Sequence, residues 1–369
     1  MMDKKIRYIA VFSLFSLFLL PGTEAAGQRP VPQQRMERVY DEVKTPYKYG
    51  LVVVPDHDYN KIDSPTVFRY KKKWYMTYVL YDGKYTTDGR GYETWLAESD
   101  DLLHWNTLGR LLSLCRGTWD SFQRGGYMSL IAPRWGGSYR PRMYDGRYWL
   151  SYIGGDSRGY EAGTLCVGMA STDKDISQAH EWTGADRPVM SPQDSDAGAW
   201  EKYTLYKSYV FRDPGRRLHA PFVMYYNAKG AETGKESIGV AVSRDLSSWE
   251  RCAENPVLEH GEGITGDAQV QKMGDLYVMF YFGAMWKDKE PRAFNRFACS
   301  YDLVHWTDWN GGNLIEPSEP YDDLYAHKSW VIKYRGTVYH FYCAVNSKDQ
   351  RGIAVAMSRD MGKSSLAFK

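Results

Sequence analysis

Charge of one sign, cysteine and long apolar runs are all scarce in this chain of 369 residues. Lys and Arg number 47 against 45 Asp and Glu. Such a balance lacks the broad basic field that grips a phosphate backbone, so nucleic acid is excluded as a partner. Five cysteines (Cys115, Cys166, Cys252, Cys299 and Cys343) are too few for a disulfide scaffold, and no CxxC pair suggests a metal or redox site. Cys166, Cys299 and Cys343 sit in apolar, strand-like runs and are expected to be inert thiols. One apolar run, Ile9 to Leu20, follows Lys4, Lys5 and Arg7 and precedes Ala25-Ala26. Residues 1–26 therefore read as a secretory signal peptide. No second such run follows, so no membrane span is expected. With no Cys beside the cleavage site, a periplasmic or secreted protein is expected rather than a lipid-anchored one. Convincing helical periodicity is also lacking.

Aromatic residues are abundant: 30 Tyr, 13 Trp and 13 Phe. Such residues favour strands, and here they recur in a pattern. Ser99-Asp-Asp-Leu-Leu-His-Trp105, Ser243-Arg-Asp-Leu-Ser-Ser-Trp249 and Ser300-Tyr-Asp-Leu-Val-His-Trp306 are copies of one motif, with weaker copies at Ser171 and Ser358. An aromatic strand precedes each, as in Trp74-Tyr-Met-Thr-Tyr78 and Phe222-Val-Met-Tyr-Tyr226. Earlier still lies another strand, centred on Val67, Leu130, Val210, Val270 or Val331. The Ser and Asp of the motif suit a side-chain-capped turn and the Trp suits packing between units. Five such units predict an all-β, five-bladed β-propeller with four-stranded antiparallel blades over residues 51–369. Residues 27–50 would form an N-terminal arm or the strand that closes the ring.

In a propeller the first strand of each blade lines the channel, and its start faces the channel mouth. Four residues before the central apolar residue stand Asp63, Gly126, Tyr206, Gly266 and His327. Three before it stand Ser64, Tyr127, Lys207, Asp267 and Lys328. Convergent ionisable groups are costly unless paired or functional. Asp63, Asp267 and His327 are the catalytic candidates. Lys207, Lys328, Tyr127, Tyr206, Arg142 and Trp330 are the substrate-binding candidates, with Tyr81 and Tyr139 as further stacking faces. Glu201 and Glu262 are reserve acids. Trp119-Asp-Ser, Trp200-Glu-Lys and Tyr321-Asp-Asp recur just ahead of blades and read first as structural connections.

These residues carry a resemblance. Ile62-Asp-Ser-Pro-Thr-Val67 resembles the Asp-Pro-x-Val start of blade one in the five-bladed propeller glycoside hydrolases of families 43, 117 and 130, where that group places its general base. Family 43 expects an Asp in blade three and a Glu in blade four, whereas this chain has Tyr206 or Lys207 and Asp267. The site pattern is closest to the family 117 anhydro-galactosidases, whose Asp, Asp and His in blades one, four and five match Asp63, Asp267 and His327. The resemblance implies an exported, exo-acting, inverting glycosidase that removes a terminal sugar from an oligo- or polysaccharide. Asp63 would activate water, and either His327 or Asp267 would hold the acid proton. A glycoside phosphorylase or a noncatalytic carbohydrate-binding propeller are the alternatives. No cofactor is required by this reading. A structural Ca²⁺ in the channel is possible, although no ligand cluster demands one.

Overall fold

The computed structural model describes residues 29–83, 91–231, 234–287, 289–290 and 292–369. The expected signal peptide lies outside these residues. The described chain is nearly all β, with one α-helix. Helix α1 (Gln33–Val43) lies where no helical periodicity was read. It is short, but Met36, Val39 and Val43 do fall on one stripe, which is buried. That stripe packs on Leu276, Val278 and Phe280.

The strands follow in meanders. The first strand, β1 (Tyr47–Val53), pairs far along the chain. Next come β2 (Asn60–Tyr70), β3 (Lys73–Asp82), β4 (Tyr92–Ser99) and β5 (Asn106–Leu112), each antiparallel to the one before. Strands β6 (Gln123–Met128), β7 (Tyr148–Gly155) and β8 (Cys166–Thr172) form a three-stranded meander. Isolated bridges from Thr183 and Met190 take the place of its fourth strand. Four-stranded meanders follow as β9 (Thr204–Arg212) to β10 (Phe222–Lys229), β11 (Glu236–Ser243) and β12 (Trp249–Arg251). Then come β13 (Ile264–Met273), β14 (Leu276–Ala284), β15 (Ala293–Ser300) and β16 (Thr307–Asp308). The last is β17 (Tyr325–Tyr334), β18 (Thr337–Val345) and β19 (Arg351–Met357), and β1 returns to pair with β19 as its outer strand.

Single parallel bridges join β19 to β2, β4 to β6 and β11 to β13. The hydrogen-bonded ladders form two sheets of 11 and 8 strands, and neither closes on itself. The first strands nevertheless touch in ring order, β2 on β6, β6 on β9, β9 on β13, β13 on β17 and β17 on β2. Their central residues Val67, Leu130, Val210, Val270 and Val331 are buried.

The repeated motif is scaffold. Ser99 Oγ accepts from the amides of Asp101 and Leu102 at 3.2 and 2.9 Å, and Asp101 Oδ1 accepts from Leu103 and His104 at 2.9 Å each. Ser243/Asp245 and Ser300/Asp302 repeat this arrangement. The central Leu102, Leu246 and Leu303 are buried with φ of 74°, 68° and 77°. Trp105 meets Phe341 and Trp306 meets Tyr225, each on a neighbouring meander. Asp302→Ala should therefore lower stability by about 1 kcal/mol, since several amides lose their acceptor at a partly wet turn. Urea melts of the variant and of the equivalent Asp101→Ala check this, and no change in either midpoint would refute it.

The acids placed just ahead of the meanders are latches. Asp120 accepts from Tyr152 Oη at 2.9 Å, Glu201 from Tyr226 Oη at 3.0 Å, and Asp322 from Tyr342 Oη at 2.7 Å. Arg124, Arg251 and Lys48 complete the three pairs. Glu201 is thus already engaged, and Glu262 is exposed. The five cysteines are all unpaired, and Cys299 and Cys343 are buried, with burial raising both thiols. Cys166 is half-buried rather than buried. Among the described residues no helix is long and apolar enough to cross a membrane.

Candidate active site

A cavity of about 190 Å³ opens where the first strands begin. Its shape follows from a repeated break in the ladder. The β2–β3 register shifts between Asp63 and Thr66, β13–β14 between Gly266 and Gln269, and β17–β18 between His327 and Trp330. Each shift contains a non-glycine residue in the left-handed region: Ser64 (φ 46°), Asp267 (φ 56°) and Lys328 (φ 55°). A bulge of this kind bends the strand and re-aims its side chains, and backbone held in a sparse region concentrates at functional sites. These are the positions three residues ahead of the central apolar one, which the sequence singled out.

The structure brings most of the candidates together. Tyr127, Tyr206, Lys207, Asp267, His327 and Lys328 line the cavity. Asp63 does not line it. It stands behind the wall at 1% exposure, and Oδ2 accepts from Lys328 Nζ and Tyr160 Oη, both at 2.8 Å. Arg351 Nη1 lies 3.9 Å away, and Oδ1 accepts from the Ser64 amide. Burial would raise this carboxyl, but Lys328, followed by Arg351, overrides burial and holds it well below the usual carboxylate range. Trp330 is a core residue at 1% exposure, and its indole donates to the Val67 carbonyl. Tyr139 is also fully buried, and Tyr81 packs edge-on against Tyr92 and Tyr160. Arg142 lies at a different cavity.

His327 does not hold a proton. Its Nδ1 faces the Cys343 carbonyl at 3.2 Å, which can only accept, so that nitrogen carries the hydrogen of a neutral ring. Burial, reinforced by Lys328 and Arg351 against the pull of Asp63, lowers its pKa to about 3. Asp267 does hold one more readily than usual, because burial raises it against the opposing pull of Lys207 and Lys328. Ser64 Oγ donates to it at 3.3 Å, and Lys207 Nζ stands 3.6 Å away. Burial lowers Lys207 in turn.

Four residues of this neighbourhood escaped the sequence reading. Glu236 opens β11, is 7% exposed and lines the cavity. Burial first, and then the Glu161 charge, push its carboxyl up to about 8, so it is protonated at neutral pH. Glu161, in the β7–β8 connection, lines the same cavity and accepts from Lys328 Nζ at 3.0 Å. Tyr160 beside it and Arg351 at the start of β19 complete the wall around Asp63. The signal for all four was geometric. The third strand of an antiparallel meander runs parallel to the first, so its start lies at the same end. The connection from second to third strand opens there too.

Asp63, His327 and Cys343 place potential ligand atoms within 4.8 Å of one another. The set suits Ca²⁺ poorly, since that ion takes six to eight oxygens, and Lys328 and Arg351 already stand against Asp63.

No family model and no curated protein matches the chain. Two solved structures are 58% identical to it with TM-scores of 0.89, each over 92% of this chain. One is described as a complex of BT0996 and RGII and is covered over 98% of its length. The other is a glycoside hydrolase, covered over 99%. Zg3597, a family 117 glycoside hydrolase of the marine bacterium Zobellia galactanivorans, is 16% identical with a TM-score of 0.63 over 86% of this chain and 91% of its own. Structures of the family 43 and family 130 types match at 14% and 13% identity with TM-scores of 0.56 and 0.61. At such identities these last three show a propeller-type fold in common and do not single out family 117. The 58% matches go further: this protein belongs to the glycoside hydrolases.

Proposed function

We propose that the five meanders are the blades of a five-bladed propeller, the second having lost the outer strand of its four, and that the cavity at their strand starts removes one terminal sugar from an oligosaccharide. The observation that carries this reading is Glu236, a carboxyl that keeps its proton at neutral pH and faces a cavity shared with a second carboxylate, Glu161. Glycoside cleavage needs such an acid and such a partner. Glu236 protonates the leaving oxygen. Glu161, held by Lys328, serves on the sugar's other side as the carboxylate that activates water. Asp63 is a positioning residue, fixing Lys328, Tyr160 and Arg351. Asp267 and His327 present hydrogen-bonding groups to the sugar, His327 through the lone pair of Nε2. Tyr127, Tyr206, Lys207 and Lys328 bound the sugar's pocket.

Exo action is supported by size. At about 190 Å³ the cavity falls below the roughly 300–1,000 Å³ of pockets that enclose drug-sized ligands, so it suits a single ring. A phosphorylase would need cations free to take phosphate, whereas Lys328 is already held by Asp63 and Glu161. The reading places the enzyme outside the cytoplasm, after cleavage near Ala26.

An oligosaccharide of RGII, which is named with the 58% identical BT0996, is the first substrate to test. Incubation should release a monosaccharide and leave the remainder intact. NMR of the first-formed product should show the anomer opposite to that of the substrate, in keeping with inversion. Release of oligomers from the interior of the oligosaccharide would refute exo action, and retention of the anomer would refute inversion.

A further inference from the structure

We propose that a second cavity, at the opposite ends of the same strands, binds a carboxylated oligosaccharide. It measures about 820 Å³ and is bounded by the ends of β9 and β13 and by the segment that follows β6. Along β9 it lies five residues from the catalytic cavity, Lys207 to Arg212, or about 16 Å at the strand rise. The two spaces are therefore distinct and share the first strands as a common wall.

Its chemistry is one-sided. Arg134, Arg142, Arg212 and Lys272 line it. Among the described residues none of the four side chains has an ion pair, although Lys272 does lie over the Tyr277 ring at 5.5 Å. Both acids in the lining are spoken for. Asp213 pairs with Arg217 at 3.2 Å, and Glu42 takes the Trp135 indole at 2.7 Å together with Lys333. The cavity thus offers uncompensated positive charge. Its floor is apolar and aromatic, with Leu130, Phe211, Trp135 and Tyr277.

A ligand that satisfies both halves carries several negative charges on a body with apolar faces. Guanidinium forks fit carboxylates in bidentate geometry, and aromatic rings accept the C–H face of a sugar. A uronate-containing oligosaccharide has both features, and the volume holds several rings where the catalytic cavity holds one. This ligand class rests in part on the proposed function, since an enzyme acting on the end of a polysaccharide gains from holding the polymer at a second point.

The test uses calorimetry with Glu236→Gln protein, so that no turnover interferes. An oligogalacturonate should bind, with affinity falling as salt rises. Arg134→Ala/Arg212→Ala on that background should weaken binding about tenfold. A neutral xylo-oligosaccharide of equal length should not bind the second cavity, and inorganic phosphate should not displace the oligogalacturonate. No binding, undiminished binding by the arginine variant, equal binding of the neutral chain or displacement by phosphate would each overturn the proposal. Hydrolysis of a small aryl glycoside by Arg134→Ala/Arg212→Ala in the otherwise natural protein reports on the catalytic reading separately and should be unchanged, as should its thermal midpoint.

Discussion

Glu236→Gln is expected to lower kcat/KM on an unactivated oligosaccharide by about 10²–10⁴-fold, the range that a general acid supplies. On an aryl glycoside whose nitrophenolate leaves without a proton, the same variant should lose far less. The split follows from where the residue sits. Glu236 begins β11, at the end of the meander where the bulged first strands also begin. Its carboxyl is almost wholly removed from water and shares the cavity with Glu161. Burial disfavours the charged form and the neighbouring negative charge disfavours it again, so the proton stays until about pH 8. Gln fills the same volume and can donate a hydrogen bond but no proton. Equal losses on both substrates would show that Glu236 serves binding or packing instead.

Asp63→Ala is expected to destabilise the fold by about 3–5 kcal/mol, because it strands buried cations without their counter-charge. Lys328 and Arg351 both turn toward this carboxylate. Asp63→Asn keeps the shape and should cost less, while still displacing Lys328 and so lowering turnover through Glu161. The charge also links stability to acid. The folded pKa of Asp63 is depressed, so its contribution is complete above the unfolded value of about 3.9. It is lost as pH falls from there toward the folded value. Denaturant midpoints of natural and Asp63→Asn protein at neutral pH and near pH 3 should therefore converge on acidification. A constant gap between them, or a loss below about 1 kcal/mol for Asp63→Ala, would place Asp63 outside the network.

The repeat made most of the scaffold legible. Ser99, Asp101, Leu102 and Trp105, with their copies, announce the turn that ends each third strand. The fixed offset from Val67, Val270 and Val331 led to Ser64, Asp267 and Lys328, where the backbone does turn left-handed. Helix α1 was missed because eleven residues carry too few buried positions to stand out from strand-rich surroundings.

The site was only half legible. Comparison was confined to first strands, so Glu236 on a third strand and Glu161 in a connection lay outside it. Their convergence depends on which end of a meander a residue occupies, and no local spacing encodes that. Asp63 was expected as the base from its position alone, but one residue of bulge puts it behind the wall and Ser64 in front. His327 was expected to be charged by a nearby carboxylate. Full burial and two adjacent cations reverse that expectation, and neither is visible in the chain's local order. Trp330 offered a flat ring for stacking, yet alternation after the bulge turns it into the core.

The claim on which the account rests is that Glu236 supplies the proton. It is tested most directly by kcat/KM against pH for the natural enzyme and for Glu236→Gln on the same unactivated oligosaccharide. The acid form is the active one, so activity of the natural enzyme should fall as pH rises through about 8. The variant's small residual activity should lack that descending limb. A natural profile that stays flat through pH 8, or a descending limb that persists in Glu236→Gln, would contradict the account.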